Sequence, residues 1–564
     1  MNQRRLVPIL AIVVLVVSCV EQSTTPPPEA TTLSVSANAV VLLGGTVLTM
    51  ADAGTIADGA IVVDDGRIVF VGTAGEGLAK APEARRVDLS GLTVLPGLTD
   101  AHAHISGLGV ALDSVDLTGT TSYAEVIERI VERADDRPEG EWITGRGWDQ
   151  NDWSTKSFPQ AGALDATVSK HPVAVRRIDG HALLANSLAM KVAGVVASTP
   201  DPDGGKILRD AKGNPTGVFV DNAMALIGRA IPSPTREQQR TRLRRAMEFI
   251  ASQGLTEVHD AGTDQETIDL LIELADEGRV PIRVYLMLTD DDELLETWFE
   301  RGPLVDYAGR ITVRSVKLYA DGALGSRGAA LLENYSDDPG NRGLLVSSAE
   351  HILERVRRAR AAGFQVGTHA IGDRGNRIVL DAYEEAGVTS DDRYRVEHLQ
   401  VLSLDDLPRL ATMGVIASMQ PTHATSDGPW AEQRVGADRI EGAYAWRKVL
   451  DSGARLAFGS DFPVERVSPL EGLFAAVNRT DKNGHPEGGW QPSEKMSVEE
   501  AIAGFTADAA FAAFEESSRG TIEAGKLADF TILDGNPLEI DPMALDDLGV
   551  VITMVNGKVV FESF

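Results

Sequence analysis

The chain has 564 residues, with 53 basic and 83 acidic side chains and a formal net charge of -30. An acidic surplus with no basic stripe or Arg-rich helix argues against nucleic-acid binding, because affinity for phosphate backbones needs clustered Lys and Arg. The length allows a large core, as two or more domains or one barrel with insertions, and 43% hydrophobic residues is ordinary for a soluble globular enzyme.

Arg4-Arg5 precede an apolar run from Leu6 to Val17, too short to cross a bilayer and suited to a cleaved export signal over residues 1–18. Ser18 before Cys19 resembles a bacterial lipobox, with Val where such motifs usually carry Leu. Cys19 is the single cysteine, so a disulfide framework and a thiolate zinc site are excluded. The expectation is a lipid anchor at Cys19 holding an exported protein at the cell envelope; an incidental cysteine on an ordinary anchor is the alternative. Residues 19–36, with Thr24-Thr25-Pro26-Pro27-Pro28, read as a tether.

Short β-rich runs occupy residues 39–72, with Asp65-Gly66 as a hairpin turn, and recur at Phe530–Leu533, Val550–Thr553 and Val559–Phe561, with Asn556-Gly557 as another. They predict one small β-sandwich domain built from both termini, residues 37–92 and 516–564. Residues 93–515 alternate apolar runs with helical stretches, the α/β pattern of a parallel sheet with crossover helices. Eight runs are countable: Thr93–Leu95, Leu255–Val258, Ile282–Leu288, Val313–Leu318, Phe364–Gly367, Tyr394–Val396, Val415–Ser418 and Arg455–Phe458. Eight implies a closed (β/α)8 TIM barrel. The long gap after the first run, about residues 105–250 and including a charged helix from Thr235, reads as a cap above the barrel mouth that shapes the substrate pocket.

Such barrels place their sites at the C-terminal ends of the strands. His102 and His104, at i and i+2 on an extended segment, face the same way. Lys317 lies in the fourth run, Thr368-His369 ends the fifth, Glu397-His398 the sixth and Ser460-Asp461 the eighth. Four imidazoles, a carboxylate and a lysine on one rim are nitrogen and oxygen donors of the kind zinc prefers.

These residues resemble the amidohydrolase superfamily, within it the amidohydrolase-3 branch of YtcJ-like metal-dependent hydrolases. The motifs that carry the resemblance are PGLTDAHAH, KLYADGALGSRGA, THAIGDRGN, RVEHLQ, SMQPTHATSD and FGSDFPV. The resemblance implies a distorted barrel with one or two divalent metals. It places His102, His104 and Asp461 on the more buried ion and His369 and His398 on the more exposed one. Lys317 would bridge them as a carbamate made with CO2, since an ammonium has no lone pair for a cation; a lysine ion-paired with Asp321 is the other reading. Two such metals would lower the pKa of a shared water, with Asp461 as base and then acid.

His423, in Gln420-Pro421-Thr422-His423, is placed to stabilise a tetrahedral intermediate or hold substrate, or is an ordinary loop histidine. In the cap, Trp148 and His181 resemble pocket-lining residues of the family; Trp148 and Trp153 could equally fill a core. Lys170-His171 and His351 read as surface residues, and His485 as a neighbour of the site. Ser497 to Glu500 fit a helix capping box, and GTAGEG lacks the helix a dinucleotide fingerprint needs. The expectation is a metal-dependent, most simply zinc, hydrolase of non-peptide C–N bonds in small molecules such as N-acyl or N-formyl amines, with a homo-oligomer compatible. A heterocycle deaminase and a cyclic amide or ester hydrolase are the alternatives; a non-catalytic surface binding lipoprotein is the remote one.

Overall fold

A computed structural model describes residue 36 and residues 38–178 and 180–563. The expected export signal, Cys19 and nearly all of the tether lie outside the described residues. Among the described residues no helix is long and apolar enough to cross a membrane.

Eight parallel strands form the barrel in chain order: β1 Leu98–Ala103, β2 Leu255–Thr263, β3 Arg283–Leu288, β4 Ile311–Tyr319, β5 Gln365–Ala370, β6 Arg395–His398, β7 Ile416–Met419 and β8 Leu456–Phe458. Each is an almost unbroken buried run, as expected of strands covered on both faces. The expected eight-stranded architecture is therefore present, with one correction: the run Thr93–Leu95 is not the first barrel strand. It pairs with residues 46–47 and with Phe530–Leu533 in a different sheet, and the barrel begins after the Pro96-Gly97 break.

No regular ladder joins β8 to β1 among the described residues; the barrel is closed there by single bonds past the strand ends. Asp461 N–H donates to His102 O at 2.8 Å and His104 N–H to Phe462 O at 2.9 Å. The Asp100 carboxylate accepts from Ser460 N at 3.0 Å and Ser460 Oγ at 2.6 Å. Gly459 makes this approach feasible, because a Cβ there would lie 2.4 Å from the backbone nitrogen of His102. The seam that closes the barrel is thus the segment that carries His102, His104 and Asp461.

A second sheet of eight strands unites both ends of the chain, from residues 40–73 and 85–96 to residues 530–562. Ile61, Ile68, Phe530, Ile532 and Ile552 share one core, so the sheet curls over itself. Both expected turns are present with left-handed residue pairs, Asp65 and Gly66 at φ +47° and +74°, Asn556 and Gly557 at +52° and +69°. A short helix, Ala74–Lys80, does follow the strand ending at Thr73, contrary to expectation. Its first turn is occupied by Glu76, whose Oε2 accepts from Thr73 N–H at 2.9 Å, so the GTAGEG glycines serve no phosphate.

The insertion after β1 forms a third sheet of six strands between Val115 and Asp221. It is shorter than expected, because helices Ile105–Asp113 and Arg236–Ser252 pack on each other and join the barrel core through Ile105, Leu108, Leu243, Met247 and Ile250. The second of these is the crossover to β2, whose amphipathic face covers the barrel. The capping box at Ser497–Glu500 is formed.

Candidate metal centre

The six residues expected to bind metal converge at the C-terminal end of the barrel. The His104 Nε2 is 3.0 Å from Asp461 Oδ1 and the His102 Nε2 is 3.6 Å from the same oxygen. Lys317 Nζ lies 3.3 Å from His102 Nε2. The ring of His398 is 4.7 Å from that of His102 and 4.5 Å from that of His369. Donor atoms of His102, His104 and Asp461 lie within 4.8 Å of one another, and so do those of His398, His423 and Asp461. His423 is thus part of the cluster, with Nε2 3.7 Å from Asp461 Oδ2. His369 falls in neither trio, although its Nε2 is buried without a hydrogen-bond partner.

Two of these residues, His398 at φ +75° and Asp461 at φ +60°, hold the left-handed conformation that side chains other than glycine seldom adopt. Local strain of this kind persists where the surroundings over-determine it, commonly at functional sites.

Burial keeps three of the imidazoles, His102, His369 and His398, uncharged. It holds His102 down to about 4 and His369 to about 3, in both cases helped by the Lys317 charge, and it holds His398 well below its ordinary value. Burial also lowers the Lys317 ammonium to about 8 against the pull of Glu397 and Asp461. For Asp461 burial acts the other way, but the hydrogen bond to His104 and the neighbouring His102, His398 and His423 hold the carboxyl well below the usual range. Uncharged imidazoles of His102, His369 and His398 beside an ionised carboxylate, with the buried Nε2 of His369 unpartnered, form a donor set that fits divalent cations.

Behind the cluster lies a second layer of polar side chains that orients it. Glu397 Oε2 accepts from His102 Nδ1 at 2.5 Å, which leaves the Nε2 lone pair facing the site. Arg395 holds Glu397 through Nε at 2.8 Å and also reaches His259 Nδ1 at 2.9 Å and Ser418 Oγ at 2.8 Å. Arg395 and Glu397 stand two apart on the inward face of β6, an alternation readable in RVEHLQ; His259 on β2 gave no such signal. Glu397→Gln should weaken metal affinity about 10- to 100-fold, the usual cost of losing such a partner. Metal titration checks this, and unchanged affinity would remove Glu397 from the support of the site.

Asp321 does not pair with Lys317. Its carboxylate accepts backbone N–H bonds from Ala330 at 2.7 Å, Ile371 at 2.9 Å and Gly372 at 2.8 Å, locking the loop after β4 to that after β5.

The cavity over the cluster, about 430 Å³, is lined by His104, Lys317, His369, His398, His423 and Asp461, with Tyr319, Leu324, Ile371, Trp430, Val464 and Glu465 around them. Among the described residues none of the cap sheet lines it, contrary to the expectation that the cap shapes the pocket: barrel loops form its walls. Trp148, expected as a substrate residue, likewise does not line it. It is buried in the cap core, and its indole N–H donates to Val175 O at 3.0 Å, as that of Trp153 does to Thr120 O at 3.1 Å. His181 is exposed on the cap, 2.8 Å from Asp221 Oδ1, and does not line the cavity. His485 is exposed and does not line it either. His171 is buried rather than superficial, its Nδ1 3.1 Å from Glu141 O. His351 pairs with Asp290 at 2.6 Å.

A distorted parallel barrel whose rim gathers neutral histidines, an aspartate and a buried lysine defines a metal-dependent hydrolase. The family follows from comparison: the amidohydrolase family model matches residues 85–561, and the chain belongs to that family. YtcJ of Bacillus subtilis (strain 168), named as an amidohydrolase, is 35% identical over 532 residues, covering 92% of this chain and 98% of YtcJ. The N-substituted formamide deformylase of Arthrobacter pascens is 30% identical over 518 residues, 89% of this chain and 95% of that enzyme. An uncharacterised metal-dependent hydrolase from Pyrococcus horikoshii OT3 superposes with a TM-score of 0.74 at 28% identity, covering 90% of this chain and 99% of the other. The protein is a metal-dependent amidohydrolase acting on a small molecule.

Proposed function

We propose that the protein hydrolyses the C–N bond of N-acyl or N-formyl amines carrying an apolar substituent. The observation that carries this reading is the joint cavity, with metal-binding side chains on its floor and Leu324, Ile371, Trp430 and Val464 on its wall. A volume near 430 Å³ suits a small molecule, and an indole face suits an apolar or aromatic group. The Arthrobacter relative, named as a deformylase of N-substituted formamides, supports the same class.

His102, His104 and Asp461 would hold one divalent ion, most simply zinc, and His369 and His398 a second, with Lys317 between them. Ions held there would supply Lewis acidity and a water of lowered pKa. Lys317, lowered to about 8 by burial, exists in part at neutral pH as the free amine that adds to CO2. The carbamate so formed loses its proton and offers two oxygens where the ammonium offered no lone pair. Asp461 takes the proton released as water adds to the substrate carbonyl carbon. It passes that proton to the amine nitrogen as the C–N bond breaks, leaving a carboxylic acid and a free amine. His423 Nε2, 3.7 Å from Asp461 Oδ2, is placed to donate to the carbonyl oxygen as charge develops there.

The experiment is a hydrolysis screen of the zinc-loaded protein against N-formyl and N-acyl amines, cyclic amides, esters and aminated heterocycles. Release of amine from the first class is expected; release of ammonia from heterocycles alone would favour a deaminase and overturn the reading.

The apolar run from Leu6 to Val17 and the Ser18-Cys19 pair support attachment to the cell envelope through a lipid. Cys19→Ser should move the protein from the membrane to the soluble fraction. Wild-type protein found wholly in the soluble fraction would refute the anchor.

A further inference from the structure

Two glutamines face two imidazoles at the cavity floor, and they present opposite ends. Gln420 turns Oε1 to His398 Nδ1 at 2.8 Å while its Nε2 donates to Ser418 O at 3.3 Å. An amide oxygen only accepts, so His398 carries its proton on Nδ1 and keeps the Nε2 lone pair free. Gln400 instead turns Nε2 to His423 Nδ1 at 3.3 Å and to Asp427 Oδ2 at 3.4 Å. Rotating this amide would set its oxygen against the carboxylate, so Asp427 fixes which end faces His423. Asp427 is itself held by the Tyr444 hydroxyl at 2.5 Å, and Tyr444 N–H donates to the main-chain carbonyl of Gln400 at 2.7 Å.

With Nδ1 accepting, the ring proton of His423 sits on Nε2. That nitrogen is buried and has no hydrogen-bond partner, and it points toward Asp461 Oδ2. The His398 and His423 rings are 6.1 Å apart and only 17° from parallel, and both are buried. Depth and orientation therefore do not separate them; their amide partners do.

We infer that Gln400, aligned by Asp427 and Tyr444, is a positioning residue that holds His423 in the Nε2–H tautomer, making it a hydrogen-bond donor to the substrate carbonyl oxygen and not a metal ligand. The inference rests on the hydrolytic reading above. It also resolves the trio of His398, His423 and Asp461: only the first and last have a lone pair to offer a cation, and His369 is the second imidazole available beside His398.

The tautomer can be read in metal-free protein labelled with ¹⁵N-histidine, from long-range ¹H–¹⁵N correlations, with His423 assigned by comparison with His423→Gln. The expected wild-type pattern is a bare Nδ1 and a protonated Nε2, shifting toward a mixture in Gln400→Leu. After zinc loading, His423→Gln and Gln400→Leu should retain the wild-type metal content and His398→Ala should not. Gln400→Leu should lower kcat about 10-fold with KM nearly unchanged, less than the roughly 10²-fold or greater loss on removing the donor itself in His423→Gln. A wild-type His423 protonated on Nδ1, or a loss of zinc in His423→Gln equal to that in His398→Ala, would overturn the inference. Wild-type protein that takes up no zinc would overturn the hydrolytic reading instead, an outcome the tautomer spectrum distinguishes.

Discussion

Asp461→Asn should fold normally and lose at least about 10³-fold in kcat, within the range that proton transfer by a placed side chain contributes. Asparagine suits this position structurally: it is isosteric, and it tolerates the left-handed conformation found here at φ +60° better than most residues. Its side-chain oxygen can still accept from His104, now 3.0 Å from Asp461 Oδ1, so the β8–β1 seam should survive. What disappears is the negative charge facing His102 and His104, and with it the only carboxylate in the two candidate donor trios. Melting of the metal-free variant close to wild type, together with lost turnover, is the expected pair of results. An active Asp461→Asn would end the proposed role.

Removal of metal by a chelator should abolish activity while leaving the circular dichroism spectrum unchanged, and zinc should restore turnover. The fold survives because the site lies past the strand ends, above a barrel core that needs no ion, and because the ligands are held without one. His102 is fully buried against Glu397, Glu397 against Arg395, and Arg395 against Ser418 and His259. Returning zinc should raise the thermal midpoint, since a ligand at a hundredfold excess over its Kd stabilises the folded state by about 2.7 kcal/mol. Near two ions per chain is expected from the two clusters. Full activity in metal-stripped protein would refute the centre, and saturation at one ion would point toward the deaminase alternative.

The candidate centre was legible because its donor residues follow separate strands in chain order. His102-Ala103-His104, Lys317, Thr368-His369, Glu397-His398 and Ser460-Asp461 each end an apolar run, and a parallel barrel brings all such ends to one rim. The same logic misassigned Thr93–Leu95, because two buried runs separated by Pro96-Gly97 look alike along the chain. Only their hydrogen-bond partners tell them apart: Phe530–Leu533 for the first and Leu255 onward for the second. Trp148 illustrates the corresponding problem with side chains. An indole serves a core or a pocket equally well, and burial against Val175 decides for the core.

The sequence by itself determined the eight-stranded α/β architecture, the composite β-domain with its two hairpin turns, and the donor types gathered at the rim, because periodicity, turn chemistry and ligand chemistry are local properties. The tertiary structure alone decided that the cavity walls come from barrel loops and that His423 joins the cluster. It alone showed Glu397, Arg395, Gln400 and Gln420 orienting the imidazoles. Those facts depend on which distant side chains meet and through which atoms, and a hydrogen bond between residues 102 and 397 leaves no trace in the spacing of either.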